Sequence, residues 1–188
     1  KESSIKSIKF PIHLESICEN AFSDCNNLHS VEFHFDCELK TIGKYAFANS
    51  SIEILSIPNH VNLIDEYAFS SCNNLKRVDI GINSELQTIG DYAFDESSIE
   101  SISIPIHLKS IGNYSFNDCE NLSQVEIPTK SELQMIGKYA FINTSIESFY
   151  IPSHLKEIGK CAFNDCSKLQ KIEVSMNSQL QVIGKSAF

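Results

Sequence analysis

DESSIESISIPIHLKSIGNYSF, residues 95–116, runs directly into NDCENLSQVEIPTKSELQMIGKYAF, residues 117–141, and the two segments carry one pattern at two lengths. Ile99, Ile102, Ile104, Leu108, Ile111 and Phe116 of the first are matched by Leu122, Val125, Ile127, Leu133, Ile136 and Phe141 of the second. Outward from this pair, the closing Phe recurs at 22, 47, 69, 94, 116, 141, 163 and 188, at alternating intervals of 25 and 22 residues. Ala precedes it everywhere except at Ser115. A fixed period in the twenties marks a solenoid, whose units are too small to bury an apolar face alone and must stack. The whole chain, 1–188, therefore reads as one solenoid of eight repeats, in four double units at 1–47, 48–94, 95–141 and 142–188.

The three extra residues of the long repeat fall at two places, one between Phe and the next Leu, two between the strand end and the following Leu. Those places are loops, and the constant segments are the packed elements. Ile102-Ser103-Ile104 and its equivalents alternate apolar and polar, predicting a short strand with one face inward. Stacked in register, such strands form a parallel sheet with right-handed crossovers. Pro11, Pro58, Pro105, Pro128 and Pro152 follow the strand and stop it, lacking an N–H. On the second side, Gly43, Gly90, Gly112, Gly137, Gly159 and Gly184 follow an Ile and are read as φ > 0 corners, with Cys18 and Asp65 substituting in repeats one and three. Cys tolerates that region less well than Asp, so repeat one is expected to be strained or differently turned. Between Gly and Phe a short helical or 3-10 turn is expected.

The formal charge is -9, from 24 acidic and 15 basic residues, and no Lys/Arg cluster occurs. That excludes the electrostatic footprint of nucleic-acid or anionic-lipid binding. No apolar stretch nears the roughly 18 residues of a membrane-spanning helix. The segment starts and stops on repeat boundaries without polar end caps, which reads as part of a longer array. Its apolar end rungs predict end-to-end association.

As a pattern the unit is L-x-x-I-x-I-P-(x)-L-x-x-I-G-x-Y-A-F-x-x-C-x-x-L. In Pro105, Ile111-Gly112, Ala140-Phe141 and Cys119 followed by Leu122, over all 188 residues, the chain resembles the BspA-like, treponemal-type leucine-rich repeat family. That resemblance implies a leucine-rich repeat solenoid and a surface-antigen type of protein. It also implies a cell-surface or secreted location and adhesion to host cells or matrix proteins.

Several columns invite functional readings. Cys25, Cys72, Cys119 and Cys166 recur every 47 residues. Two rungs of about 4.8 Å place them about 9.6 Å apart, beyond disulfide reach, so they read as buried thiols. Cys18, Cys37 and Cys161 lie off the column. His13, His60, His107 and His154 form another 47-residue column. The same spacing is too wide for shared zinc ligation, and they read as rim residues. The Phe column is in phase with Leu and Ile and reads as core. Tyr45, Tyr67, Tyr92, Tyr114 and Tyr139 either stack on the convex surface with wet hydroxyls or meet a partner.

Outward on the strands, Glu32, Asp79, Glu126 and Glu173 sit between inward residues of long repeats, while Glu53, Glu100 and Glu147 precede the equivalent site in short ones. Tyr150 stands where other short repeats carry Ser56 and Ser103. This staggered acidic track reads either as a solubilising guard against sheet aggregation or as a face for a basic protein partner. N-x-S/T sequons begin at Asn49, Asn113, Asn121 and Asn143, relevant only to a secreted parent. No hydrolase, zinc-protease, P-loop or dinucleotide motif occurs, and no cofactor or metal is expected. The expectation is a non-catalytic protein-binding module of an adhesin-like protein. The alternative is a structural spacer without a specific ligand.

Overall fold

The computed structural model describes residues 3–34 and 36–188. Each repeat contributes one strand of three or four residues and one of two. The first set is β1 (Ser7–Phe10), β3 (Ser30–Phe33), β5 (Ile54–Ile57), β7 (Arg77–Ile80), β9 (Ser101–Ser103), β11 (Gln124–Glu126), β13 (Ser148–Ile151) and β15 (Lys171–Val174). The second is β2 (Ser16–Ile17), β4 (Thr41–Ile42), β6 (Leu63–Ile64), β8 (Thr88–Ile89), β10 (Ser110–Ile111), β12 (Met135–Ile136), β14 (Glu157–Ile158) and β16 (Val182–Ile183). All pairing is parallel, and the result is a β-solenoid of eight turns, as the repeat predicts.

The two sides are built differently. The two-residue strands form one unbroken eight-stranded sheet with two residues paired at each junction along its length, from Ser16↔Thr41 and Ile17↔Ile42 to Glu157↔Val182 and Ile158↔Ile183. On the other side pairing alternates. A short repeat pairs fully with the long repeat after it, over four residues in β1–β3, β5–β7 and β13–β15 and three in β9–β11. A long repeat barely pairs with the next short one: β3–β5 share only Ser30↔Ile54, β7–β9 share two positions, and β13 joins β15 in a separate sheet from β11. At that last break Phe149 stands in the inward column that Leu55, Val78, Ile102 and Val125 occupy elsewhere. Its ring packs 4.7 Å from Phe163 and 5.7 Å from Phe141, and this extra bulk accounts for the parted strands.

The arc from Gly to the next Leu holds no helix. This corrects the expected helical or 3-10 turn: the described residues there are successive turns. Residues two before and two after each Phe have positive φ, 54° at Tyr45 to 59° at Asp165. This conformation sends alternate N–H groups along the solenoid axis. Tyr45, Phe47 and Asn49 donate to the carbonyls of Glu66, Ala68 and Ser70 at 3.0, 2.8 and 2.9 Å, while Ala46, Ala48 and Ser50 close local turns on Gly43, Tyr45 and Phe47. Left-handed geometry costs a non-Gly residue about 1–2 kcal/mol. The inter-rung hydrogen bonds offset that cost, and Asn and Asp tolerate it best.

The glycines are needed for another reason than the one expected, since none has positive φ. A Cβ on Gly112 would lie 2.5 Å from the backbone carbon of Gly90, and one on Gly159 2.5 Å from that of Gly137. Close approach of rungs, not handedness, selects Gly. Cys18 and Asp65 likewise lack positive φ, so repeat one is not turned differently on that account; Asp65 accepts the Glu66 N–H at 2.8 Å. Inside, Phe47, Phe69, Phe94, Phe116, Phe141 and Phe163 are fully or nearly fully buried and stacked 5.2–5.4 Å apart. Each such ring contributes about 2–3 kcal/mol by burial, which makes this column the spine of the core.

Candidate partner-binding face

The strand side is the face where outward side chains stand free of the rungs. Strand alternation puts Glu32, Asp79, Glu126 and Glu173 outward, in register with Lys9, Ser56, Ser103 and Tyr150. Glu53, Glu100 and Glu147 are also exposed, but they form a second column at the strand entrance. There Lys76 lies between Glu53 and Glu100 along the axis, donating to the Glu53 carbonyl at 3.0 Å and accepting from the Glu100 N–H at 3.0 Å. The track expected from sequence is thus two columns, each alternating acids with other residues.

Most acids of the first column have near partners. Glu32 meets Lys9 at 2.7 Å, Asp79 meets Arg77 at 2.9 Å, and Glu173 pairs with Lys171. Glu126 pairs with no cation among the described residues and accepts the Ser103 hydroxyl at 2.8 Å. The signal for two of these pairs lay in the sequence: Arg77 and Asp79, like Lys171 and Glu173, are two residues apart and so share a strand face. These pairs are well exposed, and such pairs are worth at most about 1 kcal/mol each. A partner's cation can exchange with them at little cost. Tyr150 is half-buried and paired in register with Glu173.

Where these strands end lies an open trough. Three openings of about 350, 340 and 440 Å³ lie in series along the axis. The first two share Ser56 and Ile57, and the second and third share Ile80 and Ser103. Ile57, Ile80 and Ile104 line these openings but are buried, at 5%, 9% and 0% exposure; Glu32, Asp79 and Glu126 line the same openings from the outward column. On the rim, Ile82 is 51% exposed and lines the third opening. The sequence placed residues 81–85 in a loop of the rim but did not single out Ile82.

The sequence profile of the BspA type leucine rich repeat region matches six copies over residues 1–102 and 87–188. The chain belongs to the BspA-type leucine-rich repeat family. Among solved structures, a leucine-rich repeat protein from Bacteroides ovatus is 22% identical with a TM-score of 0.66, covering 98% of this chain and 64% of its own. A leucine rich cell surface protein from Faecalibacterium prausnitzii is 22% identical at TM-score 0.64, covering 94% and 48%. The pneumococcal vaccine antigen PcpA is 24% identical at TM-score 0.53, covering 93% and 52%. These likenesses establish a common fold, and the chain spans about half to two-thirds of those relatives' length. A search of curated proteins found no match.

The other columns of this BspA-type array are occupied with holding rungs together. Cys72, Cys119 and Cys166 donate S–H to the carbonyls of Phe47, Phe94 and Phe141 at 3.2, 3.0 and 3.0 Å. Burial pushes Cys72 up to about 11 and Cys119 up to about 12, which keeps both as unreactive thiols. His13, His60 and His107 place Nδ1 3.3, 3.1 and 3.2 Å from Glu38, Glu85 and Glu132 of the next rung. In the fourth double unit Gln179 replaces that Glu, and His154 Nδ1 lies 3.1 Å from the Ser131 carbonyl instead. The five tyrosines form one half-buried stack with ring centroids 4.6–4.7 Å apart. Burial first, then neighbouring rings and carboxylates, raises the hydroxyls of Tyr67 and Tyr92 above their ordinary value. Among the sequons, Asn49, Asn113 and Asn143 spend their amide nitrogens on Asp24, Asp91 and Asp118.

Proposed function

We propose that this chain is a non-catalytic protein-binding module of a cell-surface or secreted, adhesin-like protein. It presents the strand-side face and its loop rim to host or matrix proteins, and its apolar end rungs, where Ile183 and Phe188 are exposed, favour self-association. The observation that carries the reading is the mid-array trough with exposed Ile82 and the outward acids Asp79 and Glu126 in its lining. The Phe, Cys and Tyr columns are committed to inter-rung packing, and the strand face carries exposed charged side chains that are not. The cell-surface and antigen names of two relatives are consistent with it. No described helix is long and apolar enough to cross a membrane.

The test is surface plasmon resonance against a panel of immobilised extracellular-matrix proteins, comparing the chain with its Asp79→Lys/Glu100→Lys/Glu126→Lys variant. Saturable, salt-sensitive binding to a panel member, weakened at least about tenfold in the variant, is expected, since a tenfold loss needs only about 1.4 kcal/mol. Unchanged affinity in the variant would move the site off this face. The alternative role is a structural spacer, and a monodisperse wild-type sample that binds no panel member saturably would favour it.

A further inference from the structure

The trough has a period as well as a chemistry. Glu32, Asp79 and Glu126 are 47 residues apart in sequence, two rungs apart in space, and in the same outward column. Two rungs span about 9.6 Å. An extended strand repeats a face every two residues, about 6.7 Å, and fails to match. An α-helix returns every 5.4 Å and is about 10–12 Å wide. A polyproline-II segment has three residues per turn at about 3.1 Å each, so one face recurs every 9.3 Å. From Glu32 to Glu126 is four rungs, about 19 Å, and six polyproline-II residues span about 19 Å as well.

Backbone geometry points the same way. A segment lying in the trough runs along the solenoid axis and crosses β3, β5, β7, β9 and β11 instead of lying parallel to them. It meets side chains, not a strand edge, so it cannot extend the sheet by backbone pairing. A polyproline-II chain has no internal backbone hydrogen bonds to lose and docks through side-chain contacts on a preformed, low-entropy backbone.

We infer that the trough binds an extended, proline-rich segment with Arg or Lys at every third position. This rests on the strand-face reading above and names the partner's chemistry. The cations meet Glu32, Asp79 and Glu126 in turn, and the intervening prolines lie against Ile82 and Ile127, the exposed and half-buried aliphatic side chains of the third opening. Glu126, which pairs with no cation among the described residues, is the strongest of the three contacts. Lys9 and Arg77 are displaced from Glu32 and Asp79 as the segment binds.

Fluorescence anisotropy with the full chain tests it, using three labelled peptides. One is Arg-Pro-Pro-Arg-Pro-Pro-Arg; the second has the same composition with Arg at its first, third and fifth positions; the third is an Ala-rich helix with Arg every seventh residue. The first should bind at least about tenfold more tightly than the others at low salt, and Glu126→Gln should weaken it about fivefold or more, both within what a charge-assisted contact supplies. Equal binding of the first two peptides would overturn the spacing argument while leaving an acidic binding face intact. Equal or tighter binding of the helix overturns it too. No binding by any peptide sinks the trough as a peptide site, whereas the matrix-protein panel decides the broader function independently.

Discussion

The two kinds of junction along the array differ most on the strand side. Going from a short repeat to the long one after it, the strand side is laced by three or four paired residues and by the His13–Glu38, His60–Glu85 and His107–Glu132 contacts on the rim. Going from long to short, it has one pair, two pairs or none. The opposite arc compensates. There the long-to-short junctions carry Asn49 to Asp24, Ser71 to Glu96 and Asn143 to Asp118, with Ser51 and Ser98 hydroxyls donating to the Asn26 and Asn73 carbonyls at 2.7 and 2.6 Å. The two-residue sheet between them makes no distinction. A solenoid can therefore open one face locally without giving up cohesion, because three inter-rung systems hold it and only one is loosened. The trough runs across both kinds of junction.

The largest expected effect comes from disturbing the alternation. Deleting residues 95–141 removes one short and one long repeat and rejoins a long repeat to a short one, so every junction keeps its type. Deleting residues 95–116 sets long on long, and the Glu132 N–H loses its acceptor on Ile106 along with the contact of Glu132 with His107. The first variant should melt within a few degrees of the parent. The second should lose about 4 kcal/mol, roughly 10 °C at this size, by circular dichroism. Equal losses in the two would show that the 47-residue double unit has no standing beyond its sequence period.

A smaller effect sharpens the uniform side. Gly112 and Gly137 sit on opposite junction types, yet an added Cβ would meet the preceding rung's backbone at 2.5 Å in both. Gly112→Ala and Gly137→Ala should each cost about 3 kcal/mol, the upper part of the range for overpacking against atoms that cannot turn aside. Chemical denaturation giving clearly unequal losses would mean that the alternation extends into the two-residue sheet.

What could be read in advance follows from which physical signals are periodic in the letters. Burial is one of them, so Phe47, Leu108 and Ile136 disclosed the rungs, the strands and the core without coordinates. Backbone handedness was less visible. Gly suggested positive φ, but the residues that adopt it are Tyr, Asn, Asp, Ser, Glu and Cys flanking Phe, because inter-rung hydrogen bonds on that arc override local preference. The column Asp24, Asn49, Ser71, Glu96, Asp118, Asn143 and Asp165, rich in the residues that tolerate that region, was the available clue. On the strand face the acids were legible, whereas the number of residues that neighbouring strands share was not. Pairing count is a property of two rungs together, which no single repeat spells out.

The gentlest probe lies on the opposite arc, where the long-to-short junctions set an amide or hydroxyl against each acid and one short-to-long contact crowds its carboxylates. Asp95 accepts from Asn117 at 2.7 Å but also faces Glu96 and Asp118. Burial chiefly, and then those two carboxylates, raise its carboxyl above the ordinary value despite the Asn117 bond. The folded state therefore binds the Asp95 proton more tightly than the unfolded chain does. Its favourable contribution is complete below the unfolded carboxylate range and is lost as pH rises through the raised folded value, so at neutral pH the charge works against folding. Asp95→Asn keeps an oxygen for Asn117 and removes the charge that faces Glu96 and Asp118. It should melt slightly above the parent at pH 7, and the difference should shrink as pH falls into the carboxylate range, since the parent then becomes neutral at this site as well. Every other acid titrates in both proteins, so differential scanning calorimetry of the pair isolates this one group. A gap that stays constant with pH, or a variant that melts lower at pH 7, would mean that the Asn117 bond outweighs burial and the neighbouring charges.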